Sequence, residues 1–152
     1  MANPRLQRCL EPGMSIHVGT VDAGGAPSAC RAIALSSEND LATITAYVPV
    51  ATSQTTIANV ATTHRMAIAA NNPVDHWAIQ LKGTTIGARL ARNDEAELIE
   101  TRLEQFADVL ERIGVPRRLV RNVTRWPAFA IEMRVEHVFE QTPGPNAGSR
   151  IR

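Results

Sequence analysis

Hydrophobic and polar positions alternate with a period near two over several stretches of the chain. Met14, Ile16, Val18 and Thr20 alternate with Ser15, His17, Gly19 and Val21, the pattern of a strand with one face on a core. Asp22-Ala23-Gly24-Gly25 follows, and glycines between two apolar runs signal a hairpin turn. Pro27 opens a second run, Ser28 to Ser36, where a missing N–H is tolerated as a strand begins. Leu41 to Val48 reads as a third strand after a turn at Ser37–Asp40, and Pro49 ends it. Arg65 to Ala70 is a fourth, closed by Asn71-Asn72-Pro73, and His76 to Leu90 is a long fifth. Within the fifth, Trp77, Ile79, Leu81, Gly83 and Thr85 share one face, and Gly83 suggests a bulge or a close backbone approach. Trp126 to Phe139 is a sixth, with Phe129, Ile131, Met133, Val135, His137 and Phe139 expected on one face and Glu132, Arg134, Glu136 and Glu140 on the other.

Two stretches carry a helical period instead. Thr55 to Thr62 predicts a short helix with Ile57 and Val60 inward and Thr52 or Ser53 as its N-cap. Its threonine content makes it weak alone, so packing must support it. Asn93 or Asp94 is expected to cap a long helix ending near Ile113-Gly114. Leu98, Ile99, Leu103, Phe106, Val109, Leu110 and Ile113 form its single apolar stripe. Asp94, Glu95 and Glu97 suit its positive end, and Gly114 and Pro116 stop it.

Five strands with a short helix inserted, a long helix and a sixth strand define a mainly β chain with helices, α+β in class. Short alternating strands joined by turns fit an antiparallel barrel, which removes exposed edges by closing. The expected organisation is one domain over 1–152, with a helical insertion at about 94–124 and an irregular tail at 141–152 holding two prolines and two glycines.

Composition narrows the function. A length of 152 residues with 44% hydrophobic and 20% charged residues suits a globular core. A net charge of +1 gives no electrostatic case for nucleic acid or an anionic membrane. No apolar run reaches membrane-span length and the N-terminus lacks a signal-peptide core, so a cytoplasmic location is the expectation. Cys9 and Cys30 lack metal-ligand spacing, and His17, His64, His76 and His137 are scattered, so no metal site is expected.

Fifteen of the sixteen basic residues are arginine; Lys82 is the one lysine. Arg31 falls mid-strand between Cys30 and Ala32-Ile33-Ala34-Leu35, where a guanidinium needs water, a counter-charge or a bound anion. Arg117, Arg118, Arg121 and Arg125 crowd one segment. The preferred account is a solvated turn of helix with Leu119, Val120 and Val123 inward, because aromatic interleaving is missing.

Together "GTVDAGGAPSACRAIAL", "LATITAYVPVATSQTTIANV", "HRMAIAANNP" and "HWAIQLKGTT" resemble the pyridoxamine 5′-phosphate oxidase-like superfamily over about Gly13 to Leu90. The resemblance implies a six-stranded antiparallel split β-barrel of the FMN-binding type, and a homodimer with FMN at the subunit interface. It places Arg31, Ala32 and Ile33 at flavin and phosphate contacts, and it brings Val48, Thr52 and Ser53 into the cofactor set. A guanidinium fork matches a phosphate bidentately. The family's Ser-basic-basic stretch reads Ser53-Gln54-Thr55 here, neutral at both basic positions. The helix N-terminus at Thr52-Ser53 and the ammonium of Lys82 are the available compensations. A family glutamine contacts the flavin from the strand face that Gln80 and Lys82 share, two residues out of step with Gln80.

The implied activity is FMN-dependent oxidoreduction of a small molecule, with no catalytic residue assigned. The alternatives are a non-catalytic flavin-binding or flavin-sensing module, or a haem-binding or deazaflavin-binding relative on the same barrel, His76 being a candidate haem ligand.

Overall fold

A computed structural model describes residues 4–38 and 41–152. The predicted Ser37–Asp40 turn therefore falls partly outside the described residues. The element order is α1 (Pro4–Arg8), β1 (Ser15–Val21), β2 (Pro27–Ala32), β3 (Ala34–Ser36), β4 (Thr43–Pro49), α2 (Gln54–Thr63), β5 (Arg65–Asn71), β6 (Ala78–Leu90), α3 (Asn93–Glu111), α4 (Arg117–Arg121) and β7 (Ala128–Glu140). A 3-10 turn at Val50–Thr52 leads into α2.

The sheet holds seven strands, not six, in the order β2-β1-β5-β6-β7-β4-β3, every pair antiparallel. The difference arises at Ile33. Up to Ala32 the chain pairs with β1, but the Ile33 N–H donates to the Tyr47 carbonyl at 2.9 Å, and from Ala34 the chain pairs with β4. One apolar run thus supplies both end strands of the sheet order. Because they are consecutive in the chain, the sheet must curl until its ends meet, which makes the barrel.

Inward residues fill the barrel, among them Ile16, Val18, Ile44, Val48, Ile68, Leu81, Ile131 and Met133, each nearly inaccessible to water. Leu35 of β3 joins them. A second cluster lies outside the barrel, where Ile99, Leu103 and Ala107 of α3 cover Ile33, Ala34, Tyr47, Ala128 and Ala130. The apolar stripe read from the sequence thus packs as expected over its middle, but Ile113 lies past the helix end and is exposed.

α2 holds its place by packing plus side-chain bonds. Asn59 Nδ2 donates to Thr20 Oγ1, Thr63 Oγ1 to the Val21 carbonyl, and Thr56 Oγ1 to Cys30 Sγ. Ser53 does stand at the N-cap, yet its hydroxyl donates backward to the Pro49 carbonyl at 2.7 Å and caps nothing. The N-cap of α3 is Arg92, one residue before the predicted Asn93, and its backbone N–H donates to Glu95 Oε2 at 2.7 Å. β6 begins at Ala78, because His76 has φ 62° and breaks the extended run.

The arginine run folds back on α3. Arg117 pairs with Glu104, Asp108 and Glu111, Arg121 with Glu104, and Arg125 with Glu100. Val120 is buried and Val123 partly so, whereas Leu119 is exposed, contrary to the inward position expected for it. The tail covers the part of β7 that β4 does not reach. Gly148 N–H donates to the Glu140 carbonyl and Ile151 N–H to the Val138 carbonyl, both at 2.7 Å.

Both cysteines lie in the barrel, far from reactive. Burial pushes the Cys9 thiol up to about 12 and raises Cys30 as well. The thiolate is the nucleophile, so neither thiol should titrate with a disulfide reagent at pH 8 in the native protein. Both should do so in denaturant; rapid native labelling of either would contradict this packing.

Candidate ligand groove on the outer sheet face

Antiparallel register sets the site, because side chains directly opposite one another share a face. On the outward face, Arg31 of β2 lies opposite His17 of β1, then Ala69 of β5, Gln80 of β6 and Phe139 of β7. The neighbouring row runs Ala29, Gly19, Ala67, Lys82, His137. Three of its five members are alanine or glycine, so the sheet surface is low there. A groove of about 830 Å³ lies over it, with Gly19, Ala29 and Ala67 as floor and Arg65, Lys82 and His137 among its walls.

A bulge decides what β7 contributes. Lys82 faces His137 but Gly83 faces Val135, so Glu136 is an extra residue. Each residue beyond it changes face: Val138 turns into the barrel, while His137 and Phe139 turn outward. This corrects the single face expected for Phe129 to Phe139. Gly83 permits the bulge, since a β-carbon on it would sit 1.9 Å from the Arg134 carbonyl oxygen.

Among the described residues, eight of the sixteen basic side chains meet a carboxylate and eight, three of them on or beside this face, do not. Arg5, Arg8, Arg89, Arg92, Arg117, Arg121, Arg125 and Arg134 each meet a carboxylate. Arg31, Arg65 and Lys82 meet none among the described residues. Arg31 is half-buried, with its guanidinium carbon 5.2 Å from the centroid of the Phe106 ring of α3. Burial lowers its pKa, and burial together with the Arg31 charge lowers that of His17. Lys82 Nζ stands 4.8 Å from the centroid of the Phe139 ring. His137 Nδ1 is buried without a hydrogen-bond partner. Glu136 is the carboxylate on the rim; it accepts from Thr84 Oγ1 at 2.8 Å and lies 4.0 Å from Arg134.

The eight residues expected to hold a cofactor do not converge within this chain. Ala32 and Val48 point into the barrel, and Ile33 lies under α3. Ser53 is fully buried with its hydroxyl engaged, and Thr52 is exposed in the 3-10 turn. Gln80 and Lys82 share the outward face of β6, and Gln80 Oε1 accepts a long 3.5 Å bond from Gln141. Arg31 and Lys82 share the outer face, but β1 and β5 separate their strands by three strand spacings, roughly 14 Å along the sheet. One phosphate cannot touch both within one subunit. Arg65 and His137 are groove residues that sequence reasoning passed over. Arg65 was legible as the outward partner of Ala67 in "RMAIAA"; His137 was not, because the bulge hides its face.

No family model and no curated protein matches the chain. Solved structures do. HupZ from Group A Streptococcus is 21% identical, with 97% of this chain and 100% of that one covered and a TM-score of 0.57. An F420 reductase is 10% identical, with 87% and 94% covered and a TM-score of 0.56. An FMN-binding protein from Syntrophomonas wolfei is 12% identical, with 91% and 82% covered and a TM-score of 0.51. At these identities what the likeness establishes is the fold: the chain is a split β-barrel of the pyridoxamine 5′-phosphate oxidase-like type.

Proposed function

We propose that the protein binds a flavin-type cofactor, FMN, against the outer face of the barrel as a homodimer, and serves as an FMN-dependent oxidoreductase of a small molecule. The observation that carries this reading is the wide groove of small residues flanked by unpaired cations on a barrel whose likenesses include an FMN-binding protein and an F420 reductase. Its volume lies within the range of small-molecule sites. Arg31, in the row beside the groove rather than among its lining, is the anion contact in this reading, since it is half-buried and has no carboxylate partner among the described residues. Lys82 and Gln80 are too distant on the same subunit, so they serve the cofactor bound by the other copy. FMN, when bound, supplies the electron transfer, and the protein positions it and keeps water from it.

Two features support a dimer. The groove face is open, and β6 beyond Thr84 has no β5 neighbour, so Ile86 and Leu90 are exposed on a free edge.

The test is FMN titration followed by visible absorbance and flavin fluorescence, with sedimentation to read the subunit count. Uptake of one FMN per chain by a dimer is expected, and Arg31→Ala should weaken it at least about tenfold, the scale of one lost charge-assisted contact. Absence of uptake, or unchanged affinity in the variant, rejects the reading. A Soret band on haem titration without FMN uptake would move the ligand to haem. NADH or NADPH oxidation by the flavin-loaded protein separates an enzyme from a binding module.

A further inference from the structure

The long helix α3 covers only part of the outer sheet face, and Arg31 stands at the border of that cover. Ile33, two residues further along the chain, is buried under α3 with Leu103. On the other side of Arg31, His17 and Ala69, the next residues across the sheet, are exposed. Arg31, Leu103, Phe106 and Val123 line the small cleft where strand and helix meet. Phe106 is the residue of α3 that reaches the arginine, with the guanidinium carbon over its ring at 5.2 Å from the centroid. Among the described residues that guanidinium has no hydrogen bond and no ion pair, and none of its nitrogens is sealed from water. Arg117, by contrast, is held against α3 by the carboxylates of Glu104 and Asp108.

We propose that Phe106 is a positioning residue for the cofactor: its ring holds the Arg31 guanidinium in place and shields it on one side, so that the N–H fork meets the FMN phosphate already oriented. What Arg31 grips rests on the proposed function; the hold of Phe106 on Arg31 does not. A ring face attracts a guanidinium without consuming any of its N–H donors. A carboxylate in the same place would occupy the fork and compete with the phosphate. A long side chain also loses rotamer freedom when it meets a ligand, and a ring that already restrains it removes part of that loss. The helix inserted between β6 and β7 thus supplies more than a second apolar cluster.

The experiment is a double-mutant cycle on FMN affinity in the full chain. Phe106 is only partly buried, so Phe106→Leu keeps the fold, which circular dichroism verifies. Phe106→Leu should weaken FMN about fivefold, the scale of one cation–π contact. Phe106→Tyr, which keeps a ring, should bind FMN as the parent does. Added to Arg31→Ala, Phe106→Leu should cause no further loss. Riboflavin, which lacks the phosphate, should bind parent and Phe106→Leu alike. The same loss in the Arg31→Ala background, or for riboflavin, means that Phe106 acts through general packing and overturns the proposal. A second measurement needs no flavin: modification of Arg31 by phenylglyoxal, read by peptide mass spectrometry. Arg31 should react several-fold faster in Phe106→Leu than in the parent, while Arg118, exposed on α4, reacts equally in both. An unchanged Arg31 rate refutes the hold. A parent protein that takes up no FMN, with the faster Arg31 reaction still seen in Phe106→Leu, rejects the proposed function and leaves the hold of Phe106 on Arg31 standing.

Discussion

Gly83→Ala should destabilise the protein by about 3 kcal/mol or more, the upper end of the cost of overpacking a close-packed interior. The β-carbon would meet the Arg134 carbonyl oxygen at 1.9 Å and its carbonyl carbon at 2.9 Å. Both are backbone atoms within the β6–β7 ladder, so relief requires the strands to part rather than a side chain to turn. Urea denaturation reads the loss as a lower midpoint at unchanged slope. A Gly83→Ala protein as stable as the parent would mean that β6 and β7 do not approach as described. Gly19 makes a contrast within the same groove, because a β-carbon there meets nothing within 4 Å. Gly19→Ala should fold normally.

Glu95→Ala should cost about 2–3 kcal/mol at pH 7. The figure is below that for fully buried ion pairs because Arg89 is 46% exposed, although Glu95 itself is only 9% exposed. The carboxylate accepts two 2.7 Å bonds from Arg89, one from the Tyr47 hydroxyl at 3.0 Å and one from the Arg92 backbone N–H. It therefore ties the start of α3 to β4 and the end of β6, and its removal leaves the Tyr47 hydroxyl without that acceptor under α3. These contacts, the Arg89 bonds foremost, hold its pKa at about 2 against an ordinary value of 4.5. A lowered folded-state pKa stabilises fully above the unfolded value, and the benefit disappears as pH falls from 4.5 toward 2. After allowance for solvent screening, the pH-dependent part is about 1–2 kcal/mol. Paired urea titrations of parent and Glu95→Gln should differ by that amount at pH 7, and the gap should narrow below pH 4. A gap independent of pH would show that the carboxylate charge is not what anchors the helix.

The Glu95 cluster also shows where sequence reading stops. Glu95 was legible as an acidic residue in the first turn of a helix, favourable to the dipole. Its tie to Tyr47, 48 residues earlier, was not, because nothing local says that β4 lies under α3. Arg31 behaves similarly. Its mid-strand position marked it as unusual, but the ring of Phe106 that covers it comes from a helix 75 residues away. Ser53 was legible as the start of α2, but not that its hydroxyl turns back to the Pro49 carbonyl, because that acceptor is set by the 3-10 turn before the helix.

Alternation, turn glycines and a three-and-four apolar step determined most strands, both predicted helices and the antiparallel α+β class, because side-chain periodicity follows from the backbone geometry of each element alone. Which element each strand lies against belongs to the tertiary structure. That pairing split one apolar run into β2 and β3 at Ile33, and it inserted the bulge that turned His137 and Phe139 from the core to the outer face of the sheet. Both outcomes depend on hydrogen bonds to residues distant in sequence, and a one-residue change of register reverses every side chain beyond it.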